Sequence, residues 1–477
     1  MNHNNPILWQ HEHVLVAGLG VSGKSAVAQC EHLGAMVSTF DAHAQATWNN
    51  ERDIDWSSIT IMVVSPVFAP TSELMQQAIA HHIRVMSEVE LAWHIRVEHP
   101  DHSYAPWIGI TGTNGKTTTT EMTAAMLQHA GLHAPAVGNI GVPVSQVVTD
   151  SSVDACVVEL SSFQMHTTDS LRLRCAAITN LADDHLDWHG GFKQYAAAKA
   201  KVYHGVTDVL VYNADDKRVT ALAMNAKPAP GCRTVGFTLH EPQSGQIGVV
   251  DGVIIDRSGL VSDEQGSALA SISQFTHLCE PDGTVYPHLL ADALCAMALA
   301  LGYGIAVEDV VEALKSFSPG GHRIATVASL GAGEQSIRFI DDSKATNAHA
   351  ALASLSSFAD GQVVWIAGGL AKGSRFEDLI AQMHNKLSAV VVIGVDQEPM
   401  LHALAQEAPD IPVTRIATEP KGTVMERAVQ AAGQYARGGQ VVLMAPACAS
   451  MDQFVSYADR GDQFAKAART WVEAHGR

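Results

Sequence analysis

The stretch Trp107 to Glu121 reads WIGITGTNGKTTTTE and carries the residue types best suited to holding a phosphate. Gly112, Thr113, Asn114, Gly115 and Lys116 form a polar, glycine-containing turn. It follows a short apolar run, Ile108 to Thr111, and precedes a helix expected from Thr117, with Met122, Ala125, Met126 and His129 along one stripe and Gly131 as its stop. Glycines let backbone N–H groups approach an anion, a helix N-terminus adds partial positive charge, and the lysine adds a full one. Thr117, with Thr118 beside it, offers a hydroxyl to the Mg²⁺ that accompanies ATP. The pattern departs from G-x-x-x-x-G-K-[ST] at Ile110, where glycine is expected; the upstream glycine is Gly112. A glycine-rich strand-to-helix turn with an incidental lysine is the plainer alternative.

Other candidates fall at expected strand ends, where open α/β sheets place their sites. Glu159 closes the run Cys156 to Val158, on the far side of the expected central sheet, and is either a Mg²⁺-holding acid or a solvated carboxylate. His185, in NLADDHLDWHG, is expected at the surface as a ligand or a merely polar side chain. Lys199 falls on a helical stripe with Phe192, Tyr195, Val202 and Tyr203, while Lys193 and Lys201 fall off it. It is a snorkelling stem or a lysine with a chemical task. Further on, IDDSKATN, IAGGLAKGSRF and MAPACASMDQF put Asp342, Lys344, Thr346, Lys372 and Ser450 at three strand ends, which together make an anion-binding rim.

The elements that must position these residues alternate strand and helix. Near the start, VLVA (Val14 to Ala17) leads into Gly18, Gly20 and Gly23, a helix from about Lys24 to Leu33, a strand Met36 to Phe40, and Asp41. This fits G-x-G-x-x-G with an acid about 20 residues on, so an NAD site is one reading. A Rossmann-like domain whose turn holds another nucleotide's phosphates is preferred, because the chain runs on into an ATP loop. Ile61 to Val64 is a further strand, ending at Ser65-Pro66. A linker from Glu98 to Pro106 and the turn Ser318-Pro319-Gly320-Gly321 mark boundaries, giving domains 1–103, 104–319 and 320–477. In the central domain Val137 to Pro143 is a glycine-bracketed turn, strands are expected at Ala177 to Thr179 and Val209 to Tyr212, and Gly231 to Asp282 reads as irregular, hairpin-like chain. Helices follow at His288 to Leu301 and Val307 to Phe317. The last domain alternates again, with strands at Arg338 to Ile340, Val363 to Ala367, Ala389 to Ile393, Val413 to Ile416 and Gln440 to Met444. The expected class is α/β: a Rossmann-like N-terminal domain, a central P-loop ATPase domain with a mostly parallel sheet, and a Rossmann-like C-terminal domain.

Composition allows a large core to be buried. The 477 residues are 47% hydrophobic and 17% charged, and no apolar run approaches the length of a membrane helix. MNHNNPILWQHEH lacks the basic and apolar regions of a signal peptide. Seven scattered cysteines without CxxC read as reduced thiols, so a cytoplasmic location is expected. A net charge of −19 with no basic patch argues against nucleic acid and for small-molecule partners. A monomer is expected.

The motifs GTNGKT, GNIG, ELSSFQ, DDH…D, YAAAK, NADD, GHR, DSKATN, GGxxKG and PACASxDQF occur here in the order found in the Mur ligases, the ATP-dependent amino-acid ligases of peptidoglycan assembly. The resemblance runs from about Val14 to Phe464; the nucleotide loop is also similar to that of folylpolyglutamate synthases. It implies joining of D-glutamate to UDP-N-acetylmuramoyl-L-alanine through an acyl phosphate, with ATP and Mg²⁺. By this resemblance Val21, Ser22, Asp41 and Ser65 serve the uridine diphosphate end, and Asn139, Ser161 and Gln164 the muramoyl part. Gly112 to Thr118, Asp292, Arg323 and Asp342 serve ATP. Thr117, Glu159, His185 and a carbamylated Lys199 form the metal set, with Lys116, Glu159, His185 and Lys199 catalytic. Lys344, Thr346, Lys372, Ser450 and Tyr457 take the glutamate. The chain departs from the family at His43, where relatives often carry Arg; at Val67, where glycine is usual; at Asp292, where Asn is common and could donate; and at Tyr457, where Phe is frequent. A P-loop regulatory switch and an NAD-dependent enzyme are the readings from other classes.

Overall fold

The computed structural model describes residues 7–261, 266–279, 283–318 and 320–476, and Pro319 and Asp282 of the expected boundaries lie outside them. Two compact units result: Met1–Phe275 with Leu289–Phe317, and Thr276–His288 with Ser318–Arg477.

The first unit holds two sheets. Strands β1 (His13–Ala17), β2 (Met36–Phe40), β3 (Ile61–Val64) and β4 (Arg84–Met86) form a parallel sheet in the order β2-β1-β3-β4. Its central strands are Val- and Ile-rich and buried on both faces, as a parallel sheet under helices requires. Helices α1 (Val21–His32), α2 (Glu73–Ala80) and α3 (Glu88–His94) pack on it. The second sheet contains β5 (Trp107–Thr111), β6 (Ala136–Gly138), β7 (Cys156–Glu159), β8 (Cys175–Ile178), β9 (Val209–Asn213), β10 (Arg233–Phe237), β11 (Gln246–Val250), β12 (Val253–Asp256) and β13 (Ser267–Ser271). Their order is β13-β12-β11-β10-β9-β8-β5-β7-β6, parallel from β6 to β11 and antiparallel at β12 and β13. Helices α4 (Lys116–His129), α5 (Val144–Val147), α6 (Ser162–His166), α7 (Leu186–His189), α8 (Phe192–Ala200), α9 (Lys217–Met224), α10 (Pro287–Tyr303) and α11 (Val307–Ser316) complete this part of the chain.

The second unit has one six-stranded sheet of β14 (Ala325–Leu330), β15 (Ile337–Asp341), β16 (Val363–Gly368), β17 (Leu387–Ile393), β18 (Val413–Arg415) and β19 (Val441–Met444). The order is β14-β15-β19-β16-β17-β18, parallel apart from the β14–β15 edge pair. Helices α12 (Ala348–Leu355), α13 (Glu377–Met383), α14 (Glu398–Glu407), α15 (Val424–Tyr435) and α16 (Tyr457–His475) accompany it. The fold is thus α/β with three mostly parallel sheets.

Several expectations need correction. Helix α1 begins at Val21, not Lys24, because Gly20 already caps it in an extended conformation and Gly23, without a Cβ, can pass against the Gly18 carbonyl. Helix α4 buries Thr119, Met122, Thr123, Met126 and Leu127 along one face, with Thr118, Thr120 and Ala124 buried beside it; of the expected stripe Met122 and Met126 are buried, Ala125 is half-buried and His129 is exposed. A stripe counted from Thr119 at i, i+3, i+4, i+7 and i+8 predicts this face. Glu159 is not across the sheet from the phosphate loop: β7 pairs directly with β5, and Ile110 is its register partner. The irregular stretch after Gly231 resolves into β10 to β13, including an antiparallel meander. Short strands β4 and β6 and the half-exposed edge strand β14 have too little apolar character to be read from pattern alone.

Candidate active site

Gly115 caps α4 in the left-handed conformation with φ of 78°, so the loop turns sharply into the helix. The loop is laid against the segment after β8. Thr113 N donates to Asn180 O at 3.0 Å, Asn114 N to Asn180 Oδ1 at 2.8 Å, and Thr179 Oγ1 to Asn114 O at 2.6 Å. Thr113 Oγ1 bonds the Tyr195 hydroxyl at 2.8 Å and accepts from Ala182 N at 2.9 Å. Gly112 fits because a Cβ there would meet Thr179 Oγ1 at 1.9 Å; one on Gly115 would meet Asp292 Oδ1 at 2.0 Å. Asp292, buried on α10, is therefore brought to the loop from far along the chain. Lys116 curls back so that Nζ donates to Thr113 O at 2.7 Å.

The strand-end acids and Lys199 gather beside this loop. Lys199 is 2% exposed, and its Nζ donates to Gly112 O at 2.6 Å and lies 4.7 Å from the Tyr195 ring centre. Burial, then the charge of Lys116, hold its pKa well below the usual lysine value, partly opposed by Asp184 and Glu159. Tyr195, Val202 and Tyr203 of the expected stripe are fully buried and Phe192 partly so. Glu159 is 2% exposed; its Oε1 accepts from Asn139 Nδ2 at 2.8 Å, and its buried Oε2 has no partner among the described residues. His185 is exposed, with φ of 53°, 3.5 Å from Asp184 and with its ring centre 4.6 Å from that of Phe163, tilted at 56°. Phe163 belongs to α6, whose N-terminus is closed by a capping box between Ser161 and Gln164. Both residues are thereby fixed at the end of β7.

A metal ion fits this chemistry in a specific way. Among the described residues no three His, Cys, Asp or Glu side chains stand close enough to share one. Glu159 nevertheless presents a buried carboxylate oxygen without a partner, and Lys199 is a desolvated amine beside it. A carbamate on that amine would add the oxygens a hard cation prefers.

At the glycine turn, Ser22, Gly23, Ser65, Ser87, Glu88 and Gln164 line one pocket, so three expected substrate residues from both sheets meet. A neighbouring pocket adds Phe163, His166 and Trp188 to Ser65 and Gln164. Val21 is exposed at the start of α1. Asp41 spends its oxygens on backbone: Oδ2 accepts from Leu19 N, and Oδ1 from His43 N and Ala44 N, all at 2.8–2.9 Å. These bonds lower its pKa to about 2, and they tie β2 to the glycine turn.

In the second unit, β15, β19 and β16 are neighbours, so the three polar loops emerge side by side. Asp342 is buried and bonded by Ser354; burial raises its pKa to about 6. Lys344 Nζ lies 4.1 Å over the Tyr457 ring. Lys372 is exposed with φ of 51°, Thr346 is half-buried and Ser450 is buried. Arg323 is half-buried. A residue the sequence reading did not single out organises this rim. Arg460 on α16 has no exposed surface; it donates to Ser343 Oγ at 2.9 Å, Ser343 O at 2.9 Å and Cys448 O at 3.0 Å, joining the Lys344 and Ser450 loops. Its signal was available: Arg460 shares the apolar face of α16 with Phe464, Ala467 and Ala468, as Lys199 shares that of α8. His322, whose Nδ1 is 2.7 Å from Asp341 Oδ2, was likewise missed.

Residues 110–259 match the Mur ligase middle domain and residues 322–448 the Mur ligase, glutamate ligase domain. The UDP-N-acetylmuramoylalanine–D-glutamate ligase of Bifidobacterium adolescentis is 58% identical over 468 residues, covering 97% of this chain and 98% of that protein. The protein of the same name from Streptomyces avermitilis is 42% identical over 477 residues with the same coverage. Among solved structures, UDP-N-acetylmuramate-alanine ligase from Thermotoga maritima has a TM-score of 0.57 at 15% identity, covering 97% of this chain and 100% of that one. MurF ligase from Thermotoga maritima in complex with ADP gives 0.54 at 14% identity, covering 98% and 99%. These distant structures speak for the fold, and the full-length identities go further: the chain belongs to the Mur ligase family.

Proposed function

We propose that the protein joins D-glutamate to UDP-N-acetylmuramoyl-L-alanine at the expense of ATP, in the assembly of a peptidoglycan precursor. The observation that carries this reading is the convergence of the Gly112–Lys116 loop, Lys199 and the unpartnered Glu159 oxygen at adjacent strand ends. The extent of identity to the ligases named above supports the choice of substrates.

A carboxylate is a poor acyl donor, so the reaction must first make it a better one. A carboxylate oxygen of the L-alanyl group attacks the γ-phosphorus, the bond to ADP breaks, and an acyl phosphate forms. The neutral amine of D-glutamate then attacks the carbonyl carbon and expels phosphate. Phosphoryl transfer asks the protein for positioning and charge neutralisation. Lys116 and the N–H groups at the start of α4 hold the phosphates, and Asp292 supports the loop at Gly115. Glu159, His185, Thr117 and a carbamylated Lys199 would hold Mg²⁺, which would neutralise phosphate charge when bound. Asn139, Ser161 and Gln164 orient the muramoyl part, and Val21, Ser22, Ser65 and Asp41 the nucleotide end, within the first and central domains (1–103 and 104–319). In the third domain (320–477), Lys344, Thr346, Lys372, Ser450 and Tyr457 are assigned to glutamate, and Arg323 and Asp342 to ATP.

The test is product mass after incubation with ATP, UDP-N-acetylmuramoyl-L-alanine and an equal mixture of isotopically distinguished D- and L-glutamate. The reading expects one amide product carrying the D label. A product with the L label, or none, rejects it.

A further inference from the structure

The start of α3 reads Ser87-Glu88-Val89-Glu90, and each of its three polar side chains bonds a residue beyond the first sheet, in the central domain. Ser87 Oγ bonds Thr168 Oγ1 at 2.6 Å, and Thr168 Oγ1 donates to Gln164 O at 2.6 Å. Glu90 Oε2 accepts from Asp169 N and Ser170 N, each at 3.0 Å; despite burial, its hydrogen bonds, with His94 the largest contributor, bring its pKa to about 2. Glu88 differs from both. It is 6% exposed, and its Oε1 accepts from Ser145 N at 2.6 Å. Its Oε2 has no partner among the described residues, and the side chain lines the pocket that also contains Ser22, Gly23 and Gln164.

Ser145 is itself gripped twice. Its hydroxyl bonds Ser25 Oγ at 2.8 Å, and Ser25 lies on α1, the helix that the glycine turn opens. Immediately before Ser145 runs the turn Gly138 to Pro143. Its Asn139 donates to Glu159 Oε1 through the side chain and to Glu159 O through the backbone, at 2.8 and 2.9 Å. Hydrogen bonds therefore anchor the two ends of the segment 139–145, Ser145 on Glu88 of the glycine-turn pocket and Asn139 on Glu159, and the backbone between them joins the two anchors.

We propose that Glu88 is a positioning residue that ties occupancy of the glycine-turn pocket to the placement of Asn139 and Glu159. A nucleotide-linked substrate seated against Ser22 and Gly23 packs on Glu88 and α1, and so stiffens the turn that sets the Glu159 carboxylate. The role is geometric: an acceptor oxygen at the length of a glutamate side chain. Burial raises the Glu88 pKa, so a neutral side chain of the same length suits the site. The proposal rests on the ligase reading for its kinetic part only.

The full-length protein is compared as wild type, Glu88→Gln and Glu88→Asp. Glutamine keeps the acceptor in place; aspartate keeps the charge and withdraws the acceptor by one methylene. Glu88→Asp is expected to fold with normal circular dichroism and to lose about tenfold in kcat, with KM for ATP unchanged, whereas Glu88→Gln stays within about threefold of wild type. Combining Glu88→Asp with Asn139→Ala is expected to cost little more than Asn139→Ala alone. Amide hydrogen exchange supplies a readout independent of turnover: UDP should slow exchange across residues 137–146 in wild type and Glu88→Gln but not in Glu88→Asp. Wild-type behaviour of Glu88→Asp overturns the proposal, as does absence of UDP-dependent protection in the wild type. An impaired Glu88→Gln beside an intact Glu88→Asp also overturns it, by making charge the requirement. Failure of the wild type to form amide rejects the ligase reading alone, and the exchange data then decide the positioning role.

Discussion

Lys199 Nζ donates to the Gly112 carbonyl at 2.6 Å, which places a buried lysine of α8 at the first residue of the phosphate loop. Burial, then the charge of Lys116, lower its pKa well below the usual lysine value, and the proposed role is uptake of CO₂ by the free amine as an anionic carbamate. Lys199→Arg keeps a positive charge but cannot form the carbamate, so amide formation should be abolished. Lys199→Ala should be inactive and partly restored by formate or acetate, which can occupy the vacated oxygen positions. An active arginine variant would return Lys199 to the role of a buried cation holding the loop.

Lys116 is the loop's own cation, and its Nζ donates to Thr113 O. Lys116→Ala should fold normally and lose about a hundredfold or more in turnover, as expected when a charge that stabilises phosphoryl transfer is removed. Circular dichroism and steady-state ligation check both halves of the statement.

How far the site was legible in the sequence differs by residue. The phosphate loop was readable because strand, glycines, lysine and helix are consecutive. Lys199 was readable because a charge on an apolar helical stripe contradicts its surroundings. Arg460 carries the same contradiction on α16, yet it went unnoticed beside the more familiar DSKATN and PACAS motifs. The pairing of β7 with β5, and the arrival of Asp292 at Gly115, depend on sheet order and chain return, which local patterns do not encode. Edge strand β14 was missed because one side of it is solvated and its residues are small.

Lys372 stands exposed at the end of β16, in the left-handed region, beside the Ser450 loop that the Leu370–Ala449 bridge holds. A charge-assisted contact from it to a glutamate carboxylate predicts that Lys372→Ala raises KM for D-glutamate by about ten- to a hundredfold with little change for ATP. Initial rates across both substrates decide this; an unchanged glutamate KM would place the amino acid elsewhere.

Asp342 gives a pH-dependent stability prediction. Its carboxyl is raised from 3.8 to about 6, chiefly by burial. The folded protein therefore binds a proton that the unfolded chain releases within this window, and stability falls as pH rises through it. The shift corresponds to an order of 3 kcal/mol, lost progressively and fully absent above the folded pKa, roughly. Asp342→Asn, which cannot ionise, should melt higher than wild type near about pH 8 and alike near about pH 4, while losing ligase activity. A variant that is less stable at the higher pH would contradict the assignment of a destabilised carboxylate.

The central claim is that ATP cleavage is coupled to amide formation. The most direct measurement is phosphate release alongside amide product, with UDP-N-acetylmuramoyl-L-alanine and D-glutamate supplied separately and together. The account predicts sustained release only with both, one phosphate for each amide. Sustained release that needs neither substrate would instead describe a nucleotide switch and contradict the account.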